Sequence, residues 1–503
     1  MVFSSHIFLF WFLPFSLAIY YAFFWSSQRV QNGVLALLGY AFYGWAEPRF
    51  VLLMFATTLV DWVWSLVIAS GSWRFWRIWQ APFAILEHGA VRNSTQKVAI
   101  ALSVVSNLCV LGFFKYGNFA LGSLNALLPQ GHLSTTVLQI ALPLGISFYT
   151  FQSLSYIIDV YRGDARAMTN FVDFSCFVSM FPHLVAGPIL KFSFLAEQLR
   201  FRILTTQKFA RGIAFFSLGL AKKILLANAC AQVADAAFGA ASLSPSQAWL
   251  GAIAYSFQIF FDFSGYSDMA IGLGLMLGFV FARNFDAPYR ATSVTDFWRR
   301  WHISLSTWLR EYLYIPLGGN RKGETRTYFN LFVVMLLGGL WHGASWNFVV
   351  WGALHGAALA VERAFGKWRK RRAVVSPSNF LPSSTRWAFL GRFVARGATY
   401  VFVVVAWVFF RSETLPQSFA FLRSMVGLDD VAPAAQLLDA TMLSPQAILF
   451  VGLAALCAWI LPDTWEWTQR LTWPRAVVCT SLLWVSILTM ATQTYSPFIY
   501  FVF

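Results

Sequence analysis

LGGLWHGASWNFVVWGALHG, Leu337–Gly356, is the stretch whose reading decides the fold. It contains no Asp, Glu, Lys or Arg, and as a helix rising 1.5 Å per residue it is long enough to cross about 30 Å of hydrocarbon. Read this way it is a transmembrane segment with one anomaly. His342 puts an imidazole in its interior, between Trp341 and Gly343. A titratable ring at membrane depth costs free energy, and such rings face a cavity or a partner. A second histidine, His302, lies forty residues earlier in a basic, aromatic run, DFWRRWHISLSTWLREYLYIPLGGNR (Asp296–Arg321).

Composition extends this reading to the whole chain. The 503 residues are 58% hydrophobic and 18% aromatic but only 12% charged, roughly half the charge of an ordinary soluble domain. Repeated apolar runs of about 18 residues or more predict an all-α polytopic membrane protein. The net charge of +16 does not point to nucleic acid, because lysine and arginine cluster between the apolar runs. The densest cluster, Arg363–Arg396, includes KWRKRR (Lys367–Arg372) and has no acidic residue. It is a positive-inside segment suited to anionic lipid headgroups. Five cysteines, Cys109, Cys176, Cys230, Cys457 and Cys479, show no C-x-x-C spacing, so they read as free thiols with no zinc site or other metal.

Taken in order, the opening MVFSSHIFLFWFLPFSLAIYYAFFW lacks a basic n-region and reads as a retained first helix bent at Pro14. Val34–Trp45 is short, and Phe50–Ala69 carries Asp61 at mid-depth. A loop with Arg74, Arg77, Arg92 and Lys97 is placed in the cytoplasm. Val98–Phe114 and Val137–Val160 follow, then Phe171–Leu190, where FPHLVAGPIL places two prolines, a glycine and His183. That composition predicts a re-entrant or broken helix, allowed at membrane depth where it is buried in protein or lines a cavity. Phe209–Phe238 has Lys222 and Lys223 in its middle, which predicts that part of it lies at the interface. Trp249–Phe281 is too long for one span and polar at DFSGYSD (Asp262–Asp268), so it reads as two helices or one broken helix. Thr295–Tyr314 reads as an amphipathic helix at the cytoplasmic interface. Tyr328–Glu362 holds His342 and His355, and Val394–Phe410, an interfacial segment at Ser418–Gly427, Ala447–Leu461 and Val477–Ala491 follow. The expectation is about eleven transmembrane helices with re-entrant and interfacial helices, in one integral-membrane domain over 1–503. Its catalytic core is placed at about 137–363 and its C-terminal helices at 394–503.

Walker A, G-x-G-x-x-G, H-E-x-x-H, G-x-S-x-G and H-x-x-x-x-D patterns are all absent. The polar residues at membrane depth therefore carry the chemistry. His342 suits a general base toward a hydroxyl, and a low-dielectric site favours its neutral form. His302 can orient a substrate, donate to a developing oxyanion or complete a proton path. The plainer reading is that each ring hydrogen-bonds a helix carbonyl. Arg299, Arg300, Arg310, Arg321 and Lys322 form a basic face beside His302 that fits phosphates, or else simply anchors the cytoplasmic side. Trp301, Tyr314, Asn320 and Trp341 join Arg299, Arg300 and Arg310 as candidate substrate- or donor-binding residues. His183, Asp262, Ser264 and Asp268 are candidate tunnel-lining residues. The two carboxylates either carry protons or a cation, as in a coupled transporter, or pair with basic residues on neighbouring helices.

WHG at Trp341–Gly343, preceded by the Asp296–Arg321 run, resembles the paired signature of the membrane-bound O-acyltransferase family. FPHLVAGPI (Phe181–Ile189), QIFFDFSGYSDMAIGLG (Gln258–Gly274), MVFSS, VFFRSE (Val408–Glu413) and the closing SPFIYFVF are similar to its bacterial alginate O-acetyltransferase branch. The resemblance runs nearly end to end, except that Ser412–Thr480 shows no matching motif. It implies a cup-shaped helical bundle with a central tunnel in the bacterial inner membrane. It implies that His342 is catalytic and that His302 is the upstream motif histidine. It further implies acetyl transfer from cytoplasmic acetyl-CoA, with no tightly bound cofactor, to periplasmic SGNH-type partner acyltransferases that modify an exopolysaccharide. Alginate is the polymer the branch suggests, and cellulose is the alternative.

Overall fold

The computed structural model describes residues 2–74, 85–127, 140–375 and 385–493. Arg77, the start of the Val137–Val160 segment and the closing Ser496–Phe503 lie outside them. Every regular element among the described residues is helical. Among the described residues six helices are long and apolar enough to cross a membrane: Pro48–Ser70, Ser94–Leu127, Thr206–Phe238, Trp346–Arg369, Phe389–Arg411 and Trp473–Thr492. A seventh span results if Gln436–Met442 and Pro445–Trp459, bent by 57°, are taken together. Gln28–Ala46, Ile146–Arg162, Pro245–Met276 and Glu324–His342 run 17 to 32 residues but carry more polar side chains.

The described chain forms two compact units, Met1–Phe216 with Tyr266–Ala282, and Ser217–Gly265 with Arg283–Phe503. In the first unit some of the polar groups at depth find partners within the protein, as hydrocarbon favours. Asp61 Oδ1 accepts from Ser103 Oγ and Asn107 Nδ2, both at 2.7 Å. Buried Arg202 donates to Tyr20 Oη at 2.9 Å and to Asn32 Oδ1 at 2.6 Å, with Phe279 4.6 Å beneath its guanidinium. In the N-terminal helix a π-turn, Phe8–Phe12, precedes the α-helical Leu13–Ala22, which has Pro14 in its first turn. FPHLVAGP is a broken segment, as its prolines predict. Phe171–Ser179 ends at Met180, and a single turn, Phe181–Leu184, follows.

The second unit corrects several expectations. The run containing Lys222 and Lys223 is continuous from Thr206 to Phe238 through a π-turn at Lys222–Ala227. Lys223 does not need an aqueous interface to hold its charge. It is 3% exposed, and its Nζ lies 2.9 Å from Oδ1 of Asp262, itself 1% exposed. An opposite charge removed the need for water that the sequence suggested.

Trp249–Phe281 is neither two helices nor a broken one. Pro245–Met276 is uninterrupted, with DFSGYSD inside it. Gly265 shows why that motif is small as well as polar: a Cβ there would sit 2.7 Å from the Gly219 carbonyl oxygen.

Thr295–Tyr314 is not one interfacial helix. It is Val294–Arg300, a turn at Trp301–His302, Ile303–Leu309 and a π-turn at Arg310–Tyr314. Val294, Phe297, Trp298, Trp301, Leu305, Trp308 and Leu309 are buried, so these short helices are core rather than surface.

The largest correction concerns Leu337–Gly356, which does not cross a membrane as one segment. Glu324–His342 ends at His342, Gly343 is extended, and Trp346 starts the return helix Trp346–Val375. The two helices pack backbone to backbone. A Cβ on Gly339 would overlap the Phe348 carbonyl oxygen, and one on Gly352 would lie 2.5 Å from the Met335 carbonyl oxygen. Small residues permit this approach, as they do between membrane helices generally. His342 is therefore at a helix end beside a tight reversal, where a ring can be presented, and not at mid-span.

Candidate active site

Both histidines lie in the second unit, and backbone geometry presents each of them. Ser293 caps Val294–Arg300, its hydroxyl accepting from Asp296 N at 3.0 Å. Glu362, from the return helix of the hairpin, accepts from Val294 N at 2.5 Å and Thr295 N at 2.9 Å. A carboxylate at a helix N-terminus satisfies otherwise unpaired donors. The helix ends at Trp301, and His302 takes φ 44°, ψ 55°. The left-handed region is uncommon for a residue with a Cβ, and such strain persists only where surrounding contacts hold it.

Asn284 supplies those contacts. Its backbone oxygen accepts from Ile303 N at 2.9 Å. Its Oδ1 accepts from Ser304 Oγ at 2.8 Å and Ser304 N at 3.2 Å, and lies 3.1 Å from His302 Nδ1. The ring stands edge-on to Phe263, with centroids 4.6 Å apart. Ile303–Leu309 and Val294–Arg300 are each 7 residues, too short to cross a bilayer, so His302 lies outside the spanning segments. Burial pushes its pKa down to about 3, leaving the imidazole neutral at ordinary pH.

His342 is 6% exposed and held in an aromatic cage. Its centroid lies 5.0 Å from Trp341, 5.2 Å from Trp351 and 5.1 Å from Phe410. The His302 and His342 rings are 6.5 Å apart, and Trp341 is 6.0 Å from His302. Two buried imidazoles at this spacing can flank one small reacting group or exchange a proton through it.

The other predicted site residues divide. Asp262 is paired with Lys223, and Ser264 is buried on the same helix. Trp301 is fully buried against Trp407, 5.0 Å away, and is core. Arg300 is engaged, its Nε 2.8 Å from Asp296 Oδ1. Arg310 is exposed and pairs with Glu311, while Arg299, Asn320, Arg321 and Lys322 are exposed and Tyr314 is half-buried. His183 and Asp268 belong to the first unit. His183 Nε2 donates to the Phe177 carbonyl at 2.8 Å, the plain structural role for a buried histidine.

Sequence reasoning did not single out Asn284, Phe263, Trp351, Phe410 or Glu362. Phe263, Trp351 and Phe410 lie inside stretches the sequence already marked, and Asn284 carried a signal as a polar residue in the turn-forming RNFDAPY after an apolar helix.

The family model for MBOAT, the membrane-bound O-acyltransferase family, matches residues 100–405, which includes both histidines. The chain belongs to the membrane-bound O-acyltransferase family. It is 43% identical to a probable alginate O-acetylase AlgI of Pseudomonas putida and 41% identical to one of Azotobacter vinelandii, in both cases over 100% of each chain. It is 37% identical to a peptidoglycan O-acetyltransferase of Helicobacter pylori, over 79% of each chain. This chain is accordingly a multi-pass membrane-bound O-acyltransferase.

Proposed function

We propose that this acyltransferase moves acetyl groups from a cytoplasmic donor, acetyl-CoA, across the bacterial inner membrane for O-acetylation of an exopolysaccharide, with alginate the polymer favoured. The observation that carries the reading is the pair of buried imidazoles, His302 and His342, 6.5 Å apart in an aromatic enclosure. The end-to-end identity with probable alginate O-acetylases supports the polymer.

In this reading His342 takes the proton of an acceptor hydroxyl. The oxygen attacks the thioester carbonyl carbon, the C–S bond breaks, and the proton passes to the leaving thiolate. His302 assists on the other side of the reacting group. The exposed basic side chains Arg299, Arg310, Arg321 and Lys322 hold the donor's phosphates, with Tyr314 and Asn320 beside them. Periplasmic SGNH-type acyltransferases then place the acetyl group on the polymer.

The test is His342→Ala in the full-length chain, expressed in a host lacking its own copy, with alkali-released acetate measured on secreted polymer. Loss of about 100-fold or more at unchanged membrane abundance is expected of a general base. Undiminished acetate would overturn the assignment. Measuring acetate separately on alginate, cellulose and peptidoglycan identifies the polymer.

A further inference from the structure

The hydrogen-bond pattern around Asn284 decides what His302 can do. An asparagine amide has one acceptor end and one donor end. The end facing Ser304 must be the oxygen, because Ser304 N, which can only donate, points at it from 3.2 Å. The Ser304 hydroxyl donates to the same atom at 2.8 Å. That oxygen is also 3.1 Å from His302 Nδ1. A ring nitrogen carrying a lone pair would repel it, so Nδ1 carries the proton and donates. A neutral imidazole has one N–H, which leaves Nε2 with the lone pair. Nε2 is buried and has no hydrogen-bond partner among the described residues.

We infer that Asn284 is a positioning residue that locks His302 as the Nδ1–H tautomer, so that its free Nε2 accepts a hydrogen bond or proton from the reacting group and does not donate to an oxyanion. Of the three roles open to His302 from sequence, donation to a developing oxyanion would need a proton on Nε2, which this geometry denies. Orienting a hydroxyl or relaying its proton remains. The oxygen partner on one ring nitrogen fixes the other, as outer-shell partners do for ligating and catalytic histidines. The left-handed backbone at His302, held by Ile303 N donating to the Asn284 carbonyl, keeps the ring in this register. The functional half of the inference rests on the acyl-transfer reading, whereas the tautomer stands on the hydrogen bonds alone.

The experiment is solid-state NMR of the full-length protein in liposomes with 15N-labelled histidine. His302→Gln identifies the His302 signals among the seven histidines by difference. At pH 7 the expected result is a protonated Nδ1 and an unprotonated Nε2. Asn284→Asp and Ser304→Ala, which keep the acceptor oxygen, retain that pattern, and Asn284→Leu loses it. In acetyl transfer, Asn284→Leu should lower kcat by about 100-fold, the range of a misplaced acid–base group, with KM for acetyl-CoA within about twofold. Asn284→Asp should recover most of kcat.

A protonated Nε2 in the unsubstituted protein overturns the inference, and that measurement needs no variant to fold. An altered tautomer in Asn284→Leu with unchanged kcat overturns its functional half. Undiminished acetylation in His342→Ala with the expected tautomer would instead count against the acyl-transfer assignment and leave the tautomer in place.

Discussion

His302 and His342 are forty residues apart in the chain, yet their rings lie 6.5 Å from each other. Three devices bring them together: the turn that Asn284 clamps, the edge-on packing of Phe263 on His302, and the helix reversal that begins directly after His342.

The reversal depends on glycine. Gly352→Val should abolish folded protein in the membrane or lower its unfolding temperature sharply, because the added atoms meet the Met335 carbonyl. Gly366→Ala lies on the same helix, where a Cβ meets nothing within 4 Å. It should be neutral or stabilising by up to about 1 kcal/mol. Thermal unfolding in detergent compares them, and equal behaviour of the two variants would sink the hairpin argument.

Lys223 and Asp262 are a buried ion pair, and removing either takes the opposite charge away from the other. Lys223→Met and Asp262→Asn should each destabilise by about 3–5 kcal/mol. The double variant should be less destabilised than the sum of the singles, since no uncompensated charge remains. Additive losses would show that the two charges do not interact.

His355 carries a histidine-specific contact without being placed in the reaction. Trp298 Nε1, which can only donate, points at its Nδ1 from 3.2 Å. His355→Phe should therefore cost about 1–3 kcal/mol for the stranded indole N–H, while acetyl transfer per folded molecule stays within about threefold. A loss as deep as that of His342→Ala would move His355 into the machinery.

The basic side chains should separate by their partners. On the proposed donor assignment, Arg321→Gln with Lys322→Gln, both exposed, should raise KM for acetyl-CoA several-fold, with the difference shrinking at high salt. Arg300→Gln, whose guanidinium is held by Asp296, should instead lower the unfolding temperature with little change in KM. The reverse pattern would place the donor's phosphates at Arg300.

Acid should destabilise the fold through His302. Its folded pKa, about 3, lies below the ordinary value of 6.5, so the unfolded chain binds the proton more readily. The stability linked to this ring is fully present above pH 6.5 and is lost as pH falls toward 3. The unfolding temperature should drop across that window by less in His302→Gln than in the unsubstituted protein. Identical pH profiles would contradict the burial argument.

Several features of this chain were legible in the residues. Apolar runs with a low charge fraction determine a helical membrane protein, because helices satisfy their own backbone in hydrocarbon. Two prolines and a glycine in FPHLVAGP determine a broken segment, because proline removes a helix hydrogen bond locally. The WHG and Asp296–Arg321 motifs determine the family. Each of these signals is local to its own stretch of chain.

Tertiary structure alone decided the rest. Lys223 looked interfacial until Asp262, on another helix, supplied its counter-charge. DFSGYSD looked like a break until Gly219 explained its glycine. Leu337–Gly356 looked like one span because apolarity is the same for a helix that continues and one that turns back. Only the contacts of Gly339 and Gly352 with the facing backbone separate the two. The tautomer of His302 likewise depends on an oxygen eighteen residues away in sequence and 3.1 Å away in space, a proximity that no residue pattern near the histidine encodes.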